Sequence, residues 1–508
     1  MEVFFDIYSG ALSLFADPLI LVMIVVGMVY GVIVGALPGV GATLGFGLIL
    51  PFTFFVDPIY SVAFLTSIAV GNQYGNSLPA ILMAVPGSSA AVLTVMDGYT
   101  LHRRGESGLA LGVQLVSAIV GQLASVPIFV FAVVPLSGLA YVFLPPELFA
   151  LYLLGIVTVV SLTGASVMKG LLSAAFGMLI GLIGLDPINF LPRMTFGVRE
   201  LRNGIDTAAV IIGILAVSEL FRSTRQVFTW TGKVERFRAK FPPWSAIRKT
   251  IPAMAIGTGV GTFVSAIPGA GTTAGCMVAY QQAKLISKNP ELFGKGSPEG
   301  LAANEAAQNA SNSGELIPTL GLGIPASGSM VLLLGALTFQ GLVPGPFLIR
   351  ETPELLEAAV AGLLGGTFVL IVAGWWMCGA MYRLVTINRQ IVTISSLALV
   401  VIGVFALHGR MFDVFIALSF GVVGYFMRRY GYSPAAAALA VILADGLERN
   451  LRQGLELYSS DIVRFVSRPV TAIILTVALL ILFYGIWAEV RLRRRGRPAL
   501  IKVAGDDD

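Results

Sequence analysis

Charge is what this sequence has least of. Only 12% of its 508 residues are Asp, Glu, Lys or Arg, against 56% hydrophobic, whereas a soluble domain usually carries about 25% charged residues. So little polar surface cannot cover a water-soluble globule of this size, but lipid tolerates it. The mean hydropathy of +0.86 agrees. Cysteine is nearly missing: Cys276 and Cys378 both lie in apolar stretches, so neither a disulfide framework nor a thiolate metal site follows. The two histidines, His102 and His408, lack partners at catalytic or metal spacing and fit loop edges. The first ten residues, MEVFFDIYSG, hold two acids and no Lys or Arg, so they lack the basic n-region of a signal peptide. The net charge of +5 does not imply nucleic-acid binding. Its basic residues gather in short loops and at the C-terminus, as orientation signals do.

What the chain has instead is glycine and long apolar runs. Its 58 glycines suit membrane helices, where small residues permit close approach. Runs of spanning length fall near 19–37, 108–135, 147–163, 167–185, 205–221, 251–267, 328–348, 356–380, 391–407, 412–427 and 470–488. Less regular apolar stretches rich in Gly, Pro and Asn fill 38–96 and 268–327, and 434–448 is a short embedded run. These predict an all-α polytopic protein in the lipid bilayer, with about 12 or more membrane segments.

The one long polar break, 222–249, carries eight basic residues against the single acid Glu235. The positive-inside rule places it in the cytoplasm, with the tail that holds Arg491, Arg493, Arg494, Arg495 and Arg497. Acidic segments around Glu147 and around Glu351, Glu354 and Glu357 fit the outer face, so the N-terminus is expected outside and the C-terminus inside.

The two halves resemble each other. GVIVGALPGVGATLG (31–45) matches GVGTFVSAIPGAGTTAG (259–275), which pairs Pro38, Gly39, Gly41 and Thr43 with Pro268, Gly269, Gly271 and Thr273 at an offset of 230. YGNSLPAILMAVPGSS (74–89) matches SGELIPTLGLGIPASG (313–328), which pairs Pro79 with Pro318 and Pro86 with Pro325 at an offset of 239. The expected division is a first repeat over 1–225, a basic linker at 226–249, a second repeat over 250–465, and an extra helix with a basic tail at 466–508. A first half that starts outside and ends inside makes the repeats inverted; diverged parallel halves are the alternative. Inverted repeats hold substrate where they meet, near the midplane.

Pro–Gly pairs inside apolar segments break helices, and backbone freed this way must be buried in protein or line a cavity. Four breaks are expected, at Pro38-Gly39, Pro86-Gly87, Pro268-Gly269 and Pro325-Ala326. Around them lie Thr43, Asn72, Asn76, Ser77, Ser88, Ser89, Thr272, Thr273, Asn309, Asn312, Ser313, Ser327 and Ser329. Half-helix N-termini suit carboxylates, and unwound carbonyls suit sodium. Any one of these residues is more often simply helix packing; four breaks in register favour a binding site. No other metal is indicated.

Charged residues divide similarly. Lys284, Glu299, Glu305 and Glu315 are either intramembrane functional groups or solvated loop residues. Asp97 is expected to support loop structure, and Asp186 before Pro187 to form a turn and cap. FGKGS (293–297) echoes a phosphate loop but lacks the glycine that opens one. PGVG and PGAG lie in membrane segments, not in a βαβ unit. Nothing points to an ATPase, an enzyme or a cofactor.

The long motifs GALPGVGATLGFGLILPFTF (35–54), YGNSLPAILMAVPGSSAAVLTVMDGYTLHRRGESGLALG (74–112) and the run 261–325, with GLDPINFLPRMTFG (184–197) and LERNLRQGL (447–455), carry a resemblance. The chain resembles the large membrane subunit of the tripartite tricarboxylate transporter family over essentially its whole length. That resemblance implies two partners in the bacterial inner membrane system, a small four-helix membrane subunit and a periplasmic substrate-binding protein that delivers carboxylates. It further implies transport driven by sodium or protons. Thr43, Asn76, Ser77, Ser88, Thr273, Asn309, Asn312 and Ser327 occupy its motif positions. The chain departs from the family where Ala326 follows Pro325 in place of glycine. A stand-alone carrier and a non-transporting sensor or scaffold are the rivals.

Overall fold

The computed structural model describes residues 2–37, 41–137, 143–163, 166–186, 191–223, 240–384 and 389–494. Pro38 and Gly39, most of the basic linker and the end of the basic tail therefore lie outside the described residues.

Helix starts are written locally. Asp17 precedes Pro18 and its carboxylate accepts the Leu19 N–H at 2.8 Å; Asp57 precedes Pro58 and accepts from Ile59 at 3.0 Å. Ser297 before Pro298 and Ser433 before Pro434 accept from Gly300 and Ala436. A side-chain cap followed by proline satisfies an orphan donor and pre-sets φ for the first turn. The resulting helices pack on one another, and among the described residues the strand structure is one two-residue pair, Gly184–Leu185 with Pro192–Arg193. Five described helices are long and apolar enough to cross a bilayer unaided: Pro18–Ala36, Ser107–Leu136, Pro353–Met381, Met411–Arg429 and Pro469–Arg491. Seven shorter apolar helices of 10–17 residues accompany them. Helix 469–494 is peripheral, with Phe483 and Leu480 more than half exposed, as a lipid-facing surface requires.

The stretches 38–96 and 268–327 differ from the irregular structure expected of them. Each holds a short helix, Gly41–Thr53 or Gly271–Ile286, then a long one, Pro58–Met83 or Pro298–Leu322. Asn, Gln and Ser sit inside these helices where buried neighbours hydrogen-bond most of them, with Asn72 the exception, so polarity did not signal loop. Pro79 and Pro318 are accommodated within the last turns. Both long helices stop alike: Ala84 and Gly323 take left-handed conformations (φ 58° and 71°), and the next N–H returns to Pro79 O at 3.2 Å or Pro318 O at 3.0 Å. Such a hydrogen-bonded left-handed stop ends a helix cleanly, though alanine adopts it at a cost of about 1 kcal/mol.

Glycine brings helices into backbone contact. A Cβ on Gly31 would lie 2.4 Å from Ile68 O, and one on Gly261 2.6 Å from Ala307 O. Gly27 against Phe64 O and Gly257 against Ala303 O repeat the arrangement. The positions correspond (31 + 230 = 261, 68 + 239 = 307; 27 + 230 = 257, 64 + 239 = 303). Helix 18–36 thus packs on 58–83 as helix 251–265 packs on 298–322. Helix 107–137 backs the second pair, with Gly121 against Ala306 O, and helix 353–384 backs the first, where Tyr74 hydrogen-bonds Gly374 O at 3.0 Å.

Candidate functional site

The described ends of the broken segments converge. Gly269 N donates to Ala326 O at 3.1 Å, joining the two breaks of the second half. Gly87 N donates to Asn76 O at 3.2 Å, and a Cβ on Gly87 would lie 2.8 Å from Gly35 O, so the Pro86-Gly87 break lies against helices 58–83 and 18–36. Two contacts then cross between halves. The Ser89 and Thr273 hydroxyls are 2.7 Å apart, and a Cβ on Gly328 would lie 3.0 Å from Thr43 Oγ1. Thr43, Ser88, Thr272, Thr273 and Ser327 are partly exposed and Ser89 is exposed, so hydroxyls line the open side of this junction.

Behind them lies a buried polar layer where helices 58–83 and 298–322 cross. Gln308 Nε2 donates to Gln73 O (2.7 Å), Asn76 Oδ1 (2.8 Å) and Ser77 Oγ (3.1 Å). Asn76 Nδ2 donates to Gln73 Oε1 at 3.1 Å, and Gln73 Nε2 reaches Thr272 Oγ1 at 3.3 Å. Glu315, 3% exposed, accepts from Thr272 N (3.1 Å), Thr272 Oγ1 (2.8 Å) and Ser327 Oγ (2.6 Å), and Thr272 Oγ1 is 2.8 Å from Ser311 Oγ. A second buried carboxylate, Glu305, accepts from the Thr94 hydroxyl, to which Asn304 also donates at 2.8 Å. Donors instead of a basic partner compensate Glu315, whereas among the described residues Glu305 Oε2 has no hydrogen-bond partner and neither glutamate forms an ion pair. Buried polar groups in lipid-excluded interiors need such partners or functional ligands.

Not every expected residue joins the junction. Asn312 Nδ2 donates to Gln122 Oε1 at 2.9 Å, while Ser313 accepts from Gln122 (3.0 Å) and Ser125 (2.8 Å), so both serve the interface with helix 107–137. Asn309 Nδ2 bonds the Glu305 carbonyl of its own helix at 2.9 Å. Asn72 is buried on the side facing helix 41–53, and neither amide atom has a partner among the described residues. Gln73, Gln308 and Ser311 were not among the expected junction residues, whereas Glu315 was expected to be either an intramembrane functional group or a solvated loop residue, and it is buried. Asn304, Gln308, Ser311 and Glu315 recur at helical spacing, a stripe hidden when 268–327 is treated as irregular. Of the other charged residues, Lys284 and Glu299 are partly exposed, with Glu299 bonded to the Ser287 hydroxyl. Asp186 pairs with Arg452 at 2.9 Å. His408 stands 3.3 Å from Asp413 and 3.7 Å from Asp206, partners that its sequence neighbourhood did not indicate.

Residues 21–439 match the model of the Tripartite tricarboxylate transporter TctA family. The chain belongs to this family. It is a multi-pass membrane protein and a permease of the tricarboxylate-transporter type. An uncharacterized 52.8 kDa protein in the TAR-I ttuC' 3'region of Agrobacterium vitis is 32% identical over 477 residues, covering 94% of this chain and 95% of that protein. An uncharacterized protein in the TAR-II ttuC' 3'region of the same organism is 31% identical over 234 residues, 46% of this chain and 97% of that one. No solved structure matches. The TctA family match spans both sets of broken segments, so the junction lies wholly inside the family region.

Proposed function

We propose that the chain is the large permease subunit of a binding-protein-dependent secondary transporter, importing a small tricarboxylate- or dicarboxylate-like anion by ion-coupled alternating access. The observation that carries this is the reciprocal crossing of the broken segments. Thr43 meets Gly328 and Thr273 meets Ser89, and the correspondences exchange one contact for the other (43 + 230 = 273; 328 − 239 = 89). Exchange of this kind is what two repeats related by a two-fold axis produce. Combined with the positive-inside assignment, it supports inverted repeats divided at the 226–249 linker, with substrate held between them.

Substrate and coupling ion, sodium or a proton, are taken to contact Thr43, Asn72, Asn76, Ser77, Ser88, Ser89, Thr272, Thr273 and Ser327. The broken segments move as a unit against the helices that back them. The partners are a small four-helix membrane subunit and a periplasmic binding protein. The chain sits in the bacterial inner membrane, N-terminus outside and C-terminus inside.

Uptake of labelled citrate, succinate and benzoate is measured in cells expressing all three subunits, with and without sodium and with and without a pH gradient. Saturable uptake of one acid, dependent on one gradient and lost in Asn76→Ala at unchanged membrane expression, is expected. Uptake that needs neither gradient, or full activity of Asn76→Ala, overturns the proposal.

A further inference from the structure

The two halves are alike in backbone but not in charge at one corresponding place. Glu315 of the second half corresponds to Asn76 of the first (315 − 239 = 76). The Glu315 carboxylate accepts the N–H of Thr272, second residue of helix 271–286, and the hydroxyl of Ser327, the N-cap of helix 328–339. It therefore lies at the N-terminal ends of two helices, each equivalent to roughly half a positive charge. Two such ends balance one carboxylate, and the second half carries its own anion there.

The first half repeats the backbone without that anion. Gly41 and Gly271 share φ 61°, and helix 41–53 starts where the correspondence places it (41 + 230 = 271). The equivalent of Glu315 is the neutral Asn76 amide, engaged with Gln73 and Gln308. Beside it Asn72, 1% exposed, has neither amide atom partnered among the described residues. Its Nδ2 points at helix 41–53, 3.9 Å from where a Cβ on Gly45 would lie. A buried amide without partners loses the full desolvation penalty of its polar atoms, and a ligand oxygen accepting from Nδ2 removes that loss. A positive helix end, an unmatched donor one turn along that helix, and an amide at the place equivalent to Glu315 together favour an anionic ligand there.

Resting on the permease reading above, we propose that the halves divide the junction by charge. Glu315 is the built-in anion of the second half, and a carboxylate of the substrate takes the corresponding place in the first, between the N-terminus of helix 41–53 and the amides of Asn72 and Asn76.

The test is binding of citrate and of succinate to the purified full-length chain in detergent, read as a saturable thermal shift. Asn76→Asp adds a built-in anion to the first half with almost no change of shape. It is expected to weaken binding by about thirtyfold or more, while Asn72→Ala weakens it by about tenfold. Wild-type affinity in Asn76→Asp overturns the inference. Should Asn76→Asp not fold, Asn72→Ala decides alone: it removes an amide that bonds nothing among the described residues, and affinity within about twofold of wild type overturns the inference. Wild-type protein that binds neither acid overturns the inference, while the three-subunit uptake assay decides the permease reading separately. Binding that survives in both variants defeats the inference alone.

Discussion

Asp97 offers the sharpest test of how the two halves are held together. It lies in a π-helical turn, Val95–Tyr99, and is fully buried. Its Oδ1 accepts the N–H groups of Gly294 (2.9 Å), Gly296 (2.9 Å) and Ser297 (2.8 Å), and its Oδ2 accepts the Tyr280 hydroxyl at 2.7 Å. The FGKGS segment thus does cradle an anion with its backbone, but the anion is a side chain of the same protein. Gly300 leaves room for it, since a Cβ there would lie 2.4 Å from Oδ2. Hydrogen bonds to a charged acceptor contribute about 1.5–3 kcal/mol each and neutral ones about 1 kcal/mol, while each stranded buried donor costs about 1–3 kcal/mol. Asn in place of Asp keeps an acceptor but loses the charge, and because a neutral side chain also costs less to bury, the net loss is about 2 kcal/mol. Ala strands the donors altogether and costs about 4 kcal/mol or more. Hydrogen exchange read on peptides covering 291–301 measures this directly, because local opening sets the rate. Asp97→Asn should speed exchange there by about thirtyfold, Asp97→Ala by more than about five-hundredfold, with helix 18–36 unaffected. Unchanged exchange in Asp97→Ala, or equal acceleration in helix 18–36, would refute the latch.

Two further predictions concern packing and pH. Gly31→Ala and Gly261→Ala force a methyl to within 2.4 Å of Ile68 O and 2.5 Å of Ala307 Cα; each should destabilise by about 1–3 kcal/mol, read as earlier thermal unfolding in detergent. A shift for one and none for its counterpart would contradict the matched helix pairs. Asp17 accepts Leu19 N–H and the Tyr60 hydroxyl, both at 2.8 Å, and these hold its carboxyl below the usual range. A depressed folded value means the contribution is complete above the ordinary carboxyl range and lost as pH falls through the folded value. The difference in unfolding temperature between wild type and Asp17→Asn should therefore be constant from neutrality down to about pH 4 and shrink below it. A gap that stays constant to pH 3 would show that the two hydrogen bonds do not act through the charge.

The sequence alone determined the membrane character, and at Asp17-Pro18 and Asp57-Pro58 local residues start helices. These depend on composition and on local backbone chemistry, which act within a few residues. The correspondences at 230 and 239 are likewise read from one string. Tertiary structure decided which polar residues meet. Gln308 and Asn312 are one helical turn apart, yet Gln308 reaches Asn76 while Asn312 reaches Gln122. Each turn-related pair shares a broad face, and only the placement of neighbouring helices divides it. Asp97 and the FGKGS loop, 197 positions apart at Gly294, show the same limit. A loop's donors are written in its local sequence; the carboxylate that fills them is set by how the halves pack.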